Sequence, residues 1–560
     1  VALGSVTFSN DDRYCAYSVS KAGSDWVEIK VMDVATRELM PDLIEWVKFS
    51  GAIWSDADGF YYSRYDEPSG SALSEKNEYQ KVYFHKLGTT QDQDVLIYED
   101  TQHPLRYFAA ITAKDSKWLL INGSEGTYGT ELLYKNIADK GDFKVLFPGF
   151  EHEYSVVDIK GDDLYLMSNE GAMNWQVIKV DLKNPSKVDV VVAETSDLLK
   201  GVSKAGGYLM LTYLKDASSR VYQYEYDGRL VREVELPGIG TASGFDGEKE
   251  DTQVFYSFSS YNVPPTSYTL DLTNGESTLY SETKVPFDPS QYVVDQEFFT
   301  SKDGTKVPMF IIYKKGMVKD GSNPTYLYAY GGFSIPMTPN FSATRIALLE
   351  QGGIYVVANI RGGSEYGEAW HQGGMKENKQ NVFDDFIGAA EYLIAQKYTS
   401  KEKLAIAGGS NGGLLVGACM VQRPDLYSVC FPAVGVLDML RYHKFTIGWG
   451  WAVEYGSSDY ADEFEYIYKY SPLHNIHKGT CYPATMITTA DHDDRVVPAH
   501  SFKFAATLQA AQSCDNPTLI RIDSNAGHGA GKPMSKIIDE QTDIWSFMLW
   551  NTDSGYTPVK

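Results

Sequence analysis

Between residues 1 and 284 the apolar positions alternate with polar ones over short runs, separated by acidic and glycine turns, with almost no helical periodicity. That is the pattern of half-buried β-strands. A turn-then-strand signal recurs at Ser9-Asn10-Asp11-Asp12-Arg13-Tyr14, Ser55-Asp56-Ala57-Asp58-Gly59-Phe60, Ala113-Lys114-Asp115-Ser116-Lys117-Trp118, Lys160-Gly161-Asp162-Asp163-Leu164-Tyr165 and Ser203-Lys204-Ala205-Gly206-Gly207-Tyr208. A weaker sixth, Gly247-Glu248-Lys249-Glu250-Asp251, runs into Val254-Phe255-Tyr256. The spacing of about 45 to 60 residues is near the length of one four-stranded propeller blade, so six blades are predicted. A pair of β-sandwiches is the alternative.

After Phe287-Asp288-Pro289 the rhythm changes to apolar strands alternating with amphipathic helices, the signature of a mainly parallel, doubly wound sheet covered on both faces. Predicted strands are 325–330, 353–359, 403–407, 429–436, 484–489 and 519–523. Helices are predicted over 381–396, with Phe383, Ile387, Ala390 and Ile394 on one stripe, and over 534–550. The chain is therefore divided into a β-propeller, residues 1–284, and an α/β domain, residues 285–560, whose chemistry belongs at the carboxyl ends of its strands.

With 560 residues the chain is long enough for two cores. A formal charge of −24 argues against a nucleic-acid partner. No run approaches the roughly 18 apolar residues of a membrane-spanning helix. The five cysteines are odd in number and lack CxxC spacing. They indicate neither a disulfide framework nor a zinc site and read as buried thiols, with room for a single disulfide. The opening Val1-Ala2-Leu3-Gly4-Ser5 has neither a methionine nor the features of a signal peptide, so it reads as a processed or truncated start and leaves the compartment unread. Sparse cysteine favours a cytoplasmic setting over a periplasmic or secreted one.

Chemistry enters at Gly408-Gly409-Ser410-Asn411-Gly412, between the strand Lys403–Ala407 and the helical run from Leu414. A strand, tight turn and helix are the context that a G-x-S-x-G nucleophile elbow requires, with Ser410 as nucleophile. A serine hydroxyl needs a histidine base and an orienting carboxylate, in the order Ser, acid, His on such a sheet. His492, His500 and His528 follow Ser410 beside strand ends, and His528 stands in the glycine-rich run Asn525-Ala526-Gly527-His528-Gly529-Ala530-Gly531 after the last strand. A loop poor in side chains suits a catalytic imidazole. The acid stays open among Asp491, Asp493 and Asp494, because spacing alone does not rank them.

These residues, with Tyr330-Gly331-Gly332-Phe333, Asn359-Ile360-Arg361-Gly362-Gly363, GGSNGGLL at 408–415, Gln422-Arg423-Pro424-Asp425-Leu426, ADHDDRVVP at 490–498 and AGHGAGKP at 526–533, resemble the prolyl oligopeptidase family. The resemblance implies a seven-bladed propeller over an α/β-hydrolase domain, the active site in a cavity between them, and a further N-terminal segment wrapping the hydrolase domain. It implies that Asp493 is the triad acid, that the Tyr330 hydroxyl and the Asn411 backbone N–H hold the oxyanion, and that Arg495 grips a substrate carbonyl. Trp451 would stack on the substrate proline, with Phe333, Tyr455, Val436 and Val496 lining that pocket, and Trp449 departs from the smaller or polar residue expected there. The activity implied is serine-type hydrolysis of oligopeptides after proline by a monomer, with no metal or organic cofactor. The rivals are macrocyclisation by the same triad, a sister peptidase cutting after basic residues or releasing dipeptides, and an inert binding scaffold.

Overall fold

The computed structural model describes residues 1–55, 58–529 and 531–558; Asp56 and Ala57 of the second turn signal and Ala530 of the glycine-rich loop lie outside them. Up to Glu282 the described chain folds into six four-stranded antiparallel sheets, each pairing its strands in chain order: residues 2–48, 53–98, 107–147, 154–192, 198–234 and 241–282. Each recurring turn signal falls between the first and second strand of one sheet. The reason is conformational: turns that reverse twisted strands need left-handed backbone, supplied by Asp12, Asp115 and Gly161 at φ 59°, 58° and 66°. Six sheets match the six signals and stand one short of the seven that the resemblance implies.

Apolar side chains fill the space between successive sheets. Ile29 and Val47 of the first meet Trp54 and Phe60 of the second. Tyr61 and Val82 meet Phe108 and Ile121, and Leu120 and Leu132 meet Leu164 and Ile178. Val177 and Val192 meet Leu209 and Leu211, and Met210 and Val221 meet Val254 and Phe258. Sheet faces are thus covered by neighbouring sheets rather than by helices, as in a propeller.

The remaining strands form one eight-stranded sheet: β1 (Tyr292–Thr300), β2 (Lys306–Lys314), β3 (Thr325–Tyr328), β4 (Ile354–Ala358), β5 (Leu404–Gly409), β6 (Val429–Ala433), β7 (Ala484–Ala490) and β8 (Thr518–Asp523). Their spatial order is 1-2-4-3-5-6-7-8, with β2 antiparallel to both neighbours and every other pairing parallel. One face packs under α2 (Gln380–Ala395) and α3 (Asn411–Gln422). The other face takes α1 (Ala343–Glu350) and α5 (Met534–Asn551). All seven residues of β7 are buried, as a strand covered on both sides must be. On α2 the buried stripe runs Val382, Phe383, Phe386, Ala389, Ala390 and Leu393, with Ile387 and Ile394 half-buried. The helix carries apolar residues on two adjacent stripes, and packing against the sheet selects the one next to that predicted.

Cys481 and Cys514, 33 residues apart, are disulfide-bonded with Cα atoms 5.2 Å apart, the single disulfide for which the sequence leaves room. The bridge joins the entry to β7 to the chain leaving helix α4 (Ala499–Ala511), where Thr480 and Gln512 already pair. Cys15, Cys419 and Cys430 are free and buried. Among the described residues no helix is long and apolar enough to cross a membrane.

The two halves meet along an ionic seam. Lys48 of the first sheet donates to Asp494 at 2.8 Å, both side chains being almost wholly buried, and the Arg495 guanidinium forks onto Asp25 at 2.9 and 2.6 Å. Tyr366 donates to Asp216 at 2.9 Å, and the Thr127 N–H donates to the Gly450 carbonyl at 3.1 Å. Breaking a buried ion pair on one side leaves an uncompensated charge, worth ~3–5 kcal/mol. Lys48→Met is therefore expected to lower the calorimetric melting temperature markedly, while Lys48→Met combined with Asp494→Asn recovers most of the loss.

Candidate active site

Ser410 sits between the end of β5 and the start of α3 with φ 61° and ψ −118°, left-handed backbone that a non-glycine residue holds only under constraint. The constraint is visible. The Ser410 N–H donates to the Ala433 carbonyl of β6 at 2.9 Å, tying the elbow to the adjacent strand. Neighbouring glycines permit the approach: a Cβ at Gly408 would lie 2.4 Å from the Gly412 carbonyl oxygen, and one at Gly413 would lie 2.5 Å from that of Ala433. Asn411 occupies the first position of α3, where a backbone N–H has no acceptor within the helix and the positive end of the helix dipole is closest.

The loop after β7 separates the three carboxylates that spacing does not rank. Asp491 bonds to His492 at 2.6 Å and is partly exposed. Asp494 turns outward to Lys48. Asp493 turns inward and accepts His528 Nδ1 at 2.7 Å through one oxygen. Its other oxygen takes the N–H groups of Arg495 and Val496 at 3.1 and 2.9 Å. With both oxygens engaged and its side chain fully buried, Asp493 fixes the ring of His528 and leaves Nε2 as the nitrogen free to exchange a proton. His528 reaches it from the loop after β8.

Tyr330 follows β3 beside Ser410, and burial raises its phenol pKa, so it stays a proton donor. Its carbonyl accepts Asn411 Nδ2 at 2.6 Å, and Tyr455 donates to Asn411 Oδ1 at 2.9 Å. Phe333 packs edge-on against Tyr455, ring centres 5.4 Å apart. Tyr330, Ser410, Asn411, Tyr455 and Phe333 thus form one connected group.

The predicted pocket residues divide. Trp451 and Arg495 line a cavity of about 310 Å³ at the seam, together with Ile447 and Gly450 and with Phe49, Tyr107, Gly126 and Thr127 from the propeller side. Val436, Val496 and Tyr455 are instead buried at 2%, 2% and 0% exposure, in the apolar cluster that supports Trp451. Trp449, the departure from expectation, is buried with its ring 6.4 Å from that of Tyr107, so its bulk serves the seam.

Sequence reasoning passed over Asp25 and Lys48, which hold the loop after β7 from the propeller, and a buried cluster of Glu454, His371 and Lys379 behind Phe333. His371 and Glu454 lie 83 residues apart and share no motif, so no sequence signal joins them.

Fold and elbow define an α/β serine hydrolase carrying a β-propeller. The prolyl oligopeptidase N-terminal β-propeller domain matches residues 1–283, and the prolyl oligopeptidase family domain matches residues 339–555. A prolyl endopeptidase of Elizabethkingia meningoseptica is 51% identical over 98% of this chain and 78% of its own length. A solved structure from a study of two prolyl endopeptidases aligns with a TM-score of 0.96 at 40% identity, over 99% of this chain and 82% of that one. Prolyl oligopeptidase B of Galerina marginata, bound to a 35-residue hydrolysis and macrocyclization substrate, aligns at 0.94 with 34% identity, covering 99% of this chain and 81% of that one. Its apo structure aligns at 0.71, so this chain is closer in overall arrangement to the substrate-bound form. The chain belongs to the prolyl oligopeptidase family of serine peptidases.

Replacing one triad acid by its amide leaves the geometry but favours the wrong imidazole tautomer, a loss of about 10⁴ in kcat in a Ser-His-Asp system. Asp493→Asn is expected to show a loss of that order in steady-state hydrolysis, and Asp491→Asn a change within about threefold. Equal losses in the two variants would remove Asp493 from the role.

Proposed function

We propose that the chain hydrolyses oligopeptides on the carboxyl side of proline through an acyl-enzyme on Ser410. The observation that carries this reading is the seam cavity: Trp451, Ile447, Phe49 and Tyr107 offer flat apolar walls, and no carboxylate is among its lining residues. Such a surface suits an uncharged ring and opposes a basic side chain. The prolyl endopeptidase relative supports the same specificity.

In this mechanism His528 Nε2 takes the Ser410 proton as Oγ attacks the carbonyl after proline. The negative charge that develops on that oxygen is met by the Tyr330 hydroxyl and the Asn411 N–H. Asp493 holds the imidazolium that forms. His528 then protonates the leaving amine, and water reverses the sequence to free the acid. Arg495 is free to donate to a substrate carbonyl only with the Nη1 edge of the guanidinium that Asp25 leaves open. The division of labour follows residues 1–284 and 285–560, with propeller and hydrolase parts of a single chain supplying every proposed group, and we read the active species as a monomer.

Removing one oxyanion donor costs about 10²–10³ in kcat, so Tyr330→Phe is expected to lose that much with KM little changed. A fluorogenic peptide panel varying the residue before the cut is expected to place proline first; preference for arginine would refute the pocket assignment. Mass spectrometry on a long proline-containing peptide is expected to show linear fragments, whereas a macrocycle as main product would favour transfer over hydrolysis. Fluorophosphonate labelling is expected in the wild type and not in Ser410→Ala.

A further inference from the structure

Behind the turn that carries Tyr330 lies a group of buried charges that the proposed chemistry does not use. Glu454, His371 and Lys379 are exposed at 1%, 1% and 0%. Glu454 accepts the Phe333 backbone N–H at 3.1 Å and His371 Nε2 at 2.8 Å, and lies 3.5 Å from the Lys379 ammonium. Lys379 in turn donates to the Gly331 carbonyl at 2.9 Å. Two side chains of opposite charge therefore hold the two sides of one turn, one by its carbonyl and the other by its N–H.

The turn needs holding. Gly331, Phe333 and Ser334 all have left-handed backbone, at φ 68°, 59° and 55°. For a bulky residue such as Phe333 this conformation persists only where surrounding contacts over-determine it. A Cβ at Gly332 would come within 2.7–2.9 Å of the Asn411 side chain, so a small shift of the turn is felt directly at the elbow.

The cluster also reaches the propeller. His371 Nδ1 lies 3.2 Å from Glu368, whose backbone N–H donates to the Met173 carbonyl of the propeller half at 2.8 Å. The ring of Tyr128 lies 5.7 Å from that of His371. The groups facing His371 are thus Glu368 on its own helical turn, Glu454 with Lys379 beyond it, and Tyr128 and Glu153 from the propeller. Burial alone would lower the imidazole, but the hydrogen bonds to Glu368 and Glu454 override it and raise it to about 9. The protonated ring can donate to both carboxylates; the neutral ring can donate to only one.

We propose that Glu454, His371 and Lys379 are positioning residues that lock the Tyr330–Phe333 turn against the elbow and tie that lock to the propeller through Glu368 and Tyr128. The proposal rests on the reading of Tyr330 as oxyanion donor. A group acting through the turn affects the reacting state more than the bound peptide, so it lowers kcat and leaves KM nearly unchanged.

Full-length Glu454→Gln and Lys379→Met are compared with wild type on a prolyl fluorogenic peptide, with circular dichroism melts for each. The expected result is a fall in kcat of at least about tenfold with KM within about threefold. A folded variant with wild-type kcat, or one in which only KM changes, overturns the proposal. The pH dependence of the wild type needs no substitution and decides the case if the variants do not fold. His371 loses its proton as pH rises, so kcat is expected to fall through about pH 9 with the dichroism spectrum unchanged. A level kcat across that range overturns the proposal. Fluorophosphonate labelling of wild type and Ser410→Ala is run alongside, so failure of the nucleophile reading shows separately from failure of the positioning.

Discussion

Two adjacent carboxylates that face opposite ways govern this site. Asp493 turns into the hydrolase half and orients His528; Asp494, the next residue, turns out and meets Lys48 of the propeller. Both are almost completely buried, so neither can be left without its partner except at large cost. The loop after β7 is thereby fixed from two sides at once, and the imidazole inherits its place from that loop. Arg495 extends the pattern by forking onto Asp25 while one edge of it faces the cavity.

The elbow shows the same economy on the other side of the site. Ser410 adopts a conformation that its own backbone resists, and the restraint comes from β6, from glycines that allow the strands to close in, and from Asn411, whose side chain ties Tyr330 to Tyr455. The proposed nucleophile and the proposed oxyanion hydroxyl are set by one set of contacts, so neither moves independently of the other.

Much of this is legible in the sequence, for reasons that particular residues make plain. The propeller turns advertise themselves because left-handed backbone demands Asp or Gly at Asp12, Asp115 and Gly161. The elbow does so because glycine is needed where a Cβ would strike a carbonyl. What is not legible is whatever depends on distant chain segments meeting. Asp491, Asp493 and Asp494 look alike until Lys48 and His528 claim their partners from opposite ends of the chain. The Cys481–Cys514 bridge hides in an unremarkable spacing. Val436, Val496 and Tyr455, which the resemblance places at the pocket, are almost wholly buried in the cluster that contains Trp451, and depth of burial is not written in the spacing of a motif. The same holds for α2, where two apolar stripes satisfy the helical period and only contact with the sheet chooses between them.

The ionic seam also carries a consequence for traffic. Asp25 and Lys48 belong to the part that covers the cavity, yet they hold the very loop that bears Asp493 and Arg495. A peptide that enters by parting the halves must loosen those contacts, and with them the alignment of the acid and the guanidinium. Along that route admission and reactivity would be opposed states of one joint, because opening the seam undoes the alignment on which the proposed chemistry depends.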